Sequence, residues 1–317
     1  MVINGKESEY LYVTSGVPQG SVLGPLLFLI FIDDLDIVVK NSILSKFADD
    51  SKVGGAANKL EICQARQHEL DSMYKWGIDN EMEFNINKCK VIQVGSANIN
   101  FQYKMNGVNL ESVDNHKDLG VYISNNLKVE KQCKEAYKRA NMQLGFISRN
   151  FQYKSKDIIL PLYKSIVRPH LEYAVQFWSP YYQKDIELLE RIQHRATKLI
   201  PNLRHKSYEE RLENLGLTTL KTRRLRGQLI QTFKIIKQFD KVNPHYFFKF
   251  DNNSITRGNE LKLKYKSGVY VTDIGKNFFT NSIIKEWNSL PNNIINSTSI
   301  NMFKNRIDKH FRNLNIE

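Results

Sequence analysis

Two periodicities divide the chain. Up to about Ser124, apolar and polar positions alternate in short runs broken by Gly, Pro and Asn; beyond it, apolar residues recur every three or four positions. At the amino end, Val2-Ile3 and Tyr10–Val13 flank the turn signal Asn4-Gly5, which predicts a β-hairpin. The segment SGVPQGSVLGPLLFLIFIDDL then runs from a Gly/Pro-punctuated loop into an apolar helix. Pro25 suits its first turn, where the missing N–H is not needed, and apolar residues on all sides from Leu26 to Ile32 predict burial. Leu44–Phe47 and Val53 are strand-like, with Ala48-Asp49-Asp50-Ser51 as a tight turn between them. Leu60, Cys63, Gln67, Leu70 and Tyr74 mark one face of a helix over Leu60–Trp76. Short strands follow at Cys89–Val94, Tyr103–Met105, Val108–Leu110 and Leu119–Ile123, with Asn106-Gly107 as another hairpin turn. The front is therefore expected to be an α+β unit, two helices against a mainly antiparallel sheet.

The rear is expected to be helical. Cys133, Ala136, Tyr137, Ala140, Leu144 and Ile147 form one face, and Ile159, Leu162, Tyr163, Ile166 and Val167 a second, ended by Pro169. Ile186, Leu189, Ile192, Ala196 and Leu199 form a third, ended by Pro201, and Leu225, Leu229, Phe233 and Ile236 a fourth. Shorter helices are predicted around Phe278–Trp287 and Ile300–Phe311, after a polar stretch from His245 to Val271 that reads as a long loop or weak hairpin. No internal repeat is visible.

Composition changes this picture in one respect. At 41% hydrophobic and 25% charged over 317 residues, with 8 Pro and 16 Gly, the chain is neither collagenous nor disordered and has length for about two cores. The net charge of +13 is unevenly spread: residues through Gly120 carry a net −5 and the remainder a net +18. An acidic front joined to a strongly basic rear points to a polyanionic partner, with a generic basic surface as the plainer alternative. Cys63, Cys89 and Cys133 form no CxxC pair or zinc-spaced cluster, so reduced thiols in an intracellular protein, nuclear or cytoplasmic, are expected. The longest apolar run, Val22–Ile32, contains Gly24 and Pro25 and falls short of the roughly 18 residues of a membrane span, so no membrane partner is expected. His170, His194 and His205 are isolated and read as structural or surface residues.

The Asp49-Asp50 pair at a strand–turn–strand tip places two hard oxygen ligands together, a donor set that suits Mg²⁺, although Asp is also a common turn-former. Its surroundings are more specific. SGVPQGSVLGPLLF, a short helix and then FADD resemble the palm motifs of reverse transcriptases, most closely those of non-LTR retrotransposons of the jockey and CR1 sort. The resemblance continues through FNINKCK, HKDLGV, RPHLEYAVQFWSP, LERIQHRATKLI, WNSLP and MFKNRI, and so covers essentially the whole chain.

The resemblance implies roles residue by residue. Asp49 would be the principal ligand of Mg²⁺ or Mn²⁺ and Asp50 its neighbour, with Phe47 and Ala48 near the primer end and the incoming nucleotide. Pro18, Gln19 and Gly20 would shape the pocket around the nascent pair and template. Lys88 would act near the departing pyrophosphate, as proton donor or plain charge, and Leu119-Gly120 would form the primer grip. By residue type alone, Gln19 reads as a helix cap, Gly20 as a turn and Lys88 as a solvated charge. Arg191, Arg195 and Lys198, then Lys221, Arg223, Arg224 and Arg226, alternate with apolar positions and are expected to track a nucleic-acid backbone. Phe177-Trp178 and Tyr181-Tyr182 offer base-stacking surfaces, or else pack into the core.

The expected partners are an RNA template with a DNA primer, or an RNA–DNA duplex, and deoxynucleotides in the full-length enzyme. In the family, a further essential Asp precedes the SGVPQG motif; here no Asp lies before Ser15. The chain is thus expected to be a partial palm (1–124), a helical thumb and connection (125–240) and a tail (241–317), inactive by itself. The runner-up is a non-catalytic nucleic-acid-binding remnant.

Overall fold

The computed structural model describes residues 2–3, 5–7, 9, 16–17, 20–251, 260–265 and 272–313. It divides into two compact units, Met1–Asp114 and Asn115–Glu317, so the segment 115–124 belongs with the helices rather than with the front. In the first unit, β1 (Val2–Ile3) pairs antiparallel with β2 (Lys6–Glu7) around Gly5; Tyr10–Val13, the expected partner, lies outside the described residues. Helix α1 (Gly24–Phe31) starts with Pro25 in its first turn as expected. Its burial is not as expected. Leu26, Leu27, Leu29, Ile30 and Phe31 are all 43–66% exposed, and the helix reaches the core through Phe28 and the edge of Phe31 against Trp76 (6.0 Å). An eight-residue helix can face one neighbour, and among the described residues nothing covers its other sides.

Next come α2 (Leu35–Val38), β3 (Ile43–Phe47), β4 (Asp50–Gly54) and the long α3 (Leu60–Asp79). They are followed by β5 (Lys90–Val91), β6 (Lys104–Met105), β7 (Val108–Asn109) and β8 (Glu111–Ser112). Instead of one mainly antiparallel sheet, these strands form separate two-stranded ladders: β3–β4 and β6–β7 antiparallel, β5–β8 parallel. Runs of two to five residues between turns suffice for a pair but not for a shared sheet. The core of the unit is the inner face of α3, with Cys63, Leu70, Met73 and Trp76 packed on Ile32, Leu35, Tyr103, Met105 and Leu110.

Two buried charged residues of α3 fix the β3–β4 hairpin. Arg66 donates to the Ser42 hydroxyl (3.2 Å), to the Tyr103 hydroxyl (2.8 Å) and to the Ala56 carbonyl (2.7 Å), and so holds both feet of the hairpin. The contact is close: a Cβ on Gly55 would come within 2.6 Å of the Arg66 guanidinium. Glu69 accepts from the amides of Lys40 (2.8 Å) and Asn41 (2.5 Å). Burial pushes its pKa up, but the Ser42 hydroxyl and these amides outweigh that and hold the carboxyl below its ordinary 4.5.

The second unit opens with the hairpin β9 (Asn115–Asp118) and β10 (Val121–Ser124), then α4 (Glu130–Asn150) and α5 (Lys156–Leu162). The second predicted helix is broken. Pro161 lies inside α5, residues Tyr163–Val167 form a π-helical turn, and Pro169 begins α6 (Pro169–Glu172) rather than ending a helix. A missing proline N–H inside a helix is accommodated by widening the following turn, and the Arg168 amide reaches back to the Tyr163 carbonyl (2.9 Å). After α7 (Val175–Trp178) come α8 (Gln183–Lys198), α9 (Tyr208–Leu215) and α10 (Leu220–Ile236). Ser207 and Glu210 form a capping box at the start of α9.

These helices enclose one core around Leu144, Tyr163, Trp178, Leu189 and Ile192. At its centre, fully buried Gln193 accepts from the Tyr163 hydroxyl (2.7 Å) and donates to the Thr218 carbonyl (3.0 Å) and the Tyr208 hydroxyl (2.9 Å). Glu190, one turn earlier, accepts from the first amide of α10 (Leu220 N, 3.0 Å). A second core joins the far half of α10 to the C-terminal pieces: α11 (Pro244–Phe247), the short ladder β11 (Lys249–Phe250) with β12 (Leu263–Lys264), α12 (Asp273–Asn277), α13 (Phe279–Ser282), α14 (Ile284–Ser289), α15 (Asn292–Ile295) and α16 (Ile300–Asn313). Phe233 stacks on Phe303 at 4.2 Å, and the Trp287 indole donates to the Leu261 carbonyl (2.8 Å).

Glu69 contributes stability above the ordinary carboxylate range, and that contribution is lost as pH falls through its depressed folded pKa. Glu69→Ala is expected to cost about 1–3 kcal/mol near neutrality, with the gap from wild type closing in acid; hydrogen exchange of residues 43–54 at matched pH reads it. Arg224 is 2% exposed with both Nη atoms unpaired, and desolvation depresses its pKa. Arg224→Met is therefore expected to stabilise the second unit by about 1–3 kcal/mol, measured by thermal denaturation.

Candidate functional site

The front site is built on the β3–β4 hairpin. Phe47 pairs with Asp50 in register, so the turn is the two residues Ala48-Asp49 and β4 begins at Asp50, one residue inside the expected turn. Ala48 is left-handed at φ +49°, a conformation that costs a non-glycine residue about 1 kcal/mol or more and concentrates at functional sites. Phe47, Ala48, Asp49 and Asp50 are all exposed. No other described residue engages either carboxylate, and among the described residues no third His, Cys, Asp or Glu joins the pair in a metal-binding cluster. Two adjacent water-facing carboxylates fit part of the oxygen shell of a hard divalent ion, which keeps its other positions for water or phosphate.

Lys46, one residue before the motif, escaped the sequence reading. Its ammonium donates to the Ile32 (2.9 Å) and Asp33 (3.3 Å) carbonyls and pairs with Asp36 (3.0 Å). It thereby caps the C-terminal carbonyls of α1 and ties the motif strand to that helix. A lysine alternating with strand residues beside two downstream acids was the available signal. Asp34 accepts from the Trp76 indole (3.0 Å), a packing role.

Other candidates are placed as follows. Gly20 is exposed with φ +83°, whereas Pro18 and Gln19 lie outside the described residues. Lys88 ends a single 3₁₀ turn (Ile86–Lys88) capped by the Asn85 side chain, and it is exposed with no partner at its ammonium among the described residues. Its neighbour Lys90 instead pairs with Glu111 across β5–β8 (2.5 Å). Leu119 and Gly120 are the two turn residues of β9–β10, both left-handed at φ +44° and +86°. That twist suits a two-residue hairpin, and the Tyr173 hydroxyl steadies it by donating to the Leu119 carbonyl (3.0 Å). A cavity of about 270 Å³ beside this turn is lined by Gly120, Gln132, Arg139, His170 and Tyr173 among others.

The expected basic surface separates into two groups. Arg191, Arg195 and Lys198 are exposed on α8, at the spacing of one helical face. That face adjoins α4: Lys184 pairs with Glu130 (3.3 Å) and Arg195 donates to Asn141, each pair 54 residues apart, so the two helices run parallel. Exposed Lys138 on α4 adds to the charge, whereas Lys134 pairs with Glu130 (2.7 Å). On α10 the expectation fails for Arg224, which points into the core between apolar positions. Arg223 is engaged by Glu172 and Arg226 by Asp308, leaving Lys221 exposed. Periodicity on a helix with little polar perimeter does not distinguish a flank from a buried row. Of the aromatic pairs, Trp178 is buried and Phe177 is 53% exposed. His194 stacks on Tyr208 (3.5 Å), and burial lowers its pKa.

No described helix is long and apolar enough to cross a membrane. Residues 1–132 match the family model described as reverse transcriptase (RNA-dependent DNA polymerase). The chain is 26% identical over 195 residues to the RNA-directed DNA polymerase from mobile element jockey of Drosophila funebris, covering 56% of this chain and 20% of that protein. It is similar at 26% over 202 residues to the probable RNA-directed DNA polymerase from transposon X-element of Drosophila melanogaster (59% and 22%) and at 24% over 201 residues to that from transposon BS (59% and 22%). The matches thus span about a fifth of the length of these relatives. No solved structure matches at a significant level. The FADD hairpin lies inside the matched segment, so residues 1–132 are similar to reverse transcriptases, and the chain is similar over part of its length to the RNA-directed DNA polymerases of mobile elements.

Proposed function

We propose that this chain is the part of a retrotransposon RNA-directed DNA polymerase that carries a palm segment, a helical thumb and a tail. The observation that carries this reading is the exposed Asp49-Asp50 pair on a strained two-residue turn inside the family-matched segment. Asp49 and Asp50 would hold Mg²⁺ or Mn²⁺, and such ions, when bound, supply the Lewis-acid chemistry of nucleotidyl transfer to a primer 3′-hydroxyl. Phe47 and Ala48 would flank the primer end, Pro18, Gln19 and Gly20 the nascent pair, and Lys88 would lend positive charge near the leaving pyrophosphate. Leu119-Gly120 would steady the primer, with the turn held rigid by Tyr173.

Arg191, Arg195 and Lys198, with Lys221 beside them in charge if not in helix, would contact the phosphates of an RNA–DNA duplex, reading backbone rather than sequence. The isolated chain is proposed to hold duplex without extending it, because two carboxylates at one turn do not assemble two metal sites. A purely nucleic-acid-binding role is the second reading, favoured by the exposed α8 stripe.

Purified chain given a primed RNA template, deoxynucleotides and Mg²⁺ or Mn²⁺ is expected to retain the duplex and give no extended product. Extension that disappears in Asp49→Ala would overturn the inactivity and place a complete metal site in the chain. Replacing Arg191, Arg195 and Lys198 together by Gln is expected to weaken retention and to flatten the log–log salt dependence by about two to three, near 0.9 per lost phosphate contact.

A further inference from the structure

Away from the exposed α8 stripe, positive charge collects where the π-helical turn meets α10, around one residue of the α10 group, Arg223. Arg168, at the end of the turn, and Arg223, on α10, share a single carboxylate: Glu172 pairs with Arg168 at 3.4 Å and takes Arg223 in a two-pronged contact, 3.0 Å on one arm. Lys164, one turn before Arg168, is half-buried, and no hydrogen bond or ion pair reaches its ammonium from a described residue. Arg168 and Arg223 therefore share one carboxylate while the Lys164 ammonium has none, and Asp308, paired with Arg226, also acts on Arg223 from the other side. Lys156 stands near them, its ammonium occupied by the Asn214 carbonyl (2.7 Å).

The crowding has an electrostatic signature. Burial, then Arg168, Arg223 and Lys156, depress the pKa of Lys164. Burial and Arg223 depress that of Arg168, against the pull of Glu172. Burial acts on Arg223 too, but its contact with Glu172 outweighs that and raises its pKa, so the unmet charge lies at Lys164 and Arg168; such charge in a half-buried site is costly unless an anion completes it. The geometry selects the anion. Two guanidinium forks meet at one carboxylate, with Lys164 one helical turn before Arg168, and forks recognise planar or tetrahedral oxyanions by paired hydrogen bonds while an ammonium adds a point charge. A widened helical turn is also a frequent mark of a functional position.

We infer that Lys164, Arg168 and Arg223 form a phosphate-binding site, with Glu172 as the resident counter-charge that a phosphate displaces. The source of the phosphate, a nucleic-acid strand, rests on the proposed function; the site itself does not. A free phosphate ion offers the same chemistry.

The test uses the full wild-type chain. Acylation of each lysine by a limiting amine reagent is followed by peptide mass spectrometry, alone, with inorganic phosphate, and with an RNA–DNA duplex, while duplex retention is measured in parallel. Labelling of Lys164 is expected to slow several-fold in both ligands, with exposed Lys241 and Lys285 serving as references under phosphate. Slowing by phosphate alone would support the site and assign it to a free anion. Unchanged Lys164 labelling in both overturns the site, and if duplex is still retained, the nucleic-acid reading stands without it.

Two variants give opposite signs. Lys164→Gln is expected to weaken phosphate binding, whereas Glu172→Gln, which removes the competing charge, is expected to tighten it about tenfold. A merely structural ion pair predicts no tightening, so weaker or unchanged binding in folded Glu172→Gln overturns the proposal.

Discussion

A two-stranded hairpin has too little core of its own to hold its tip in place. Here that constraint is met by two charged side chains one helical turn apart on α3. Arg66 grips the strand feet at Ser42 and Ala56, and Glu69 gathers the amides leading into β3. The Ser42 hydroxyl lies between them, accepting from Arg66 and lying within reach of Glu69. Everything proposed for Asp49 and Asp50 depends on this arrangement, since a carboxylate pair on a wandering tip cannot define a metal position. The helix contributes position rather than chemistry, and burial makes it strict, because each buried donor or acceptor left without its partner carries a desolvation penalty.

The helical unit solves a similar problem with neutral groups. Gln193 has one acceptor oxygen and an amide donor, and its contacts tie the π-helical turn, α9 and the link into α10 to a single point in α8. Satisfied in this way, a buried amide specifies one packing of four segments where apolar contacts alone would tolerate several. Arg224 is the contrasting case in the same core, a buried cation whose terminal nitrogens find no partner.

Much of this was legible in the sequence, and the failures share a cause. Helices α4, α8 and α10 follow their apolar periodicity, and the FADD turn sits where strand alternation stops; α3 buries Cys63 and Leu70 as expected but exposes Leu60 and buries Met73 and Trp76 beside Arg66 and Glu69. Periodicity reports a face, but not what lies against it. It therefore misjudged α1, apolar all round yet exposed, and Arg224, polar yet enclosed. The broken second helix was signalled by Pro161, but the widened turn after it depends on how Tyr163 packs, which no local pattern carries. The ladders failed to merge into a sheet because register between distant short strands is a property of tertiary packing.

The uncovered flank of α1 gives the chain an opposed response to its medium. Val22, Leu23, Leu26, Leu29 and Ile30 meet water in the acidic front half, while the cationic stripes lie in the rear. A strongly hydrated salt such as sulfate screens the attraction of lysine and arginine for phosphate and, at the same time, drives apolar surface together. Conditions that would weaken the proposed hold on a polyanion are thus the ones that favour self-adhesion. Dilute buffer would reverse both tendencies at once.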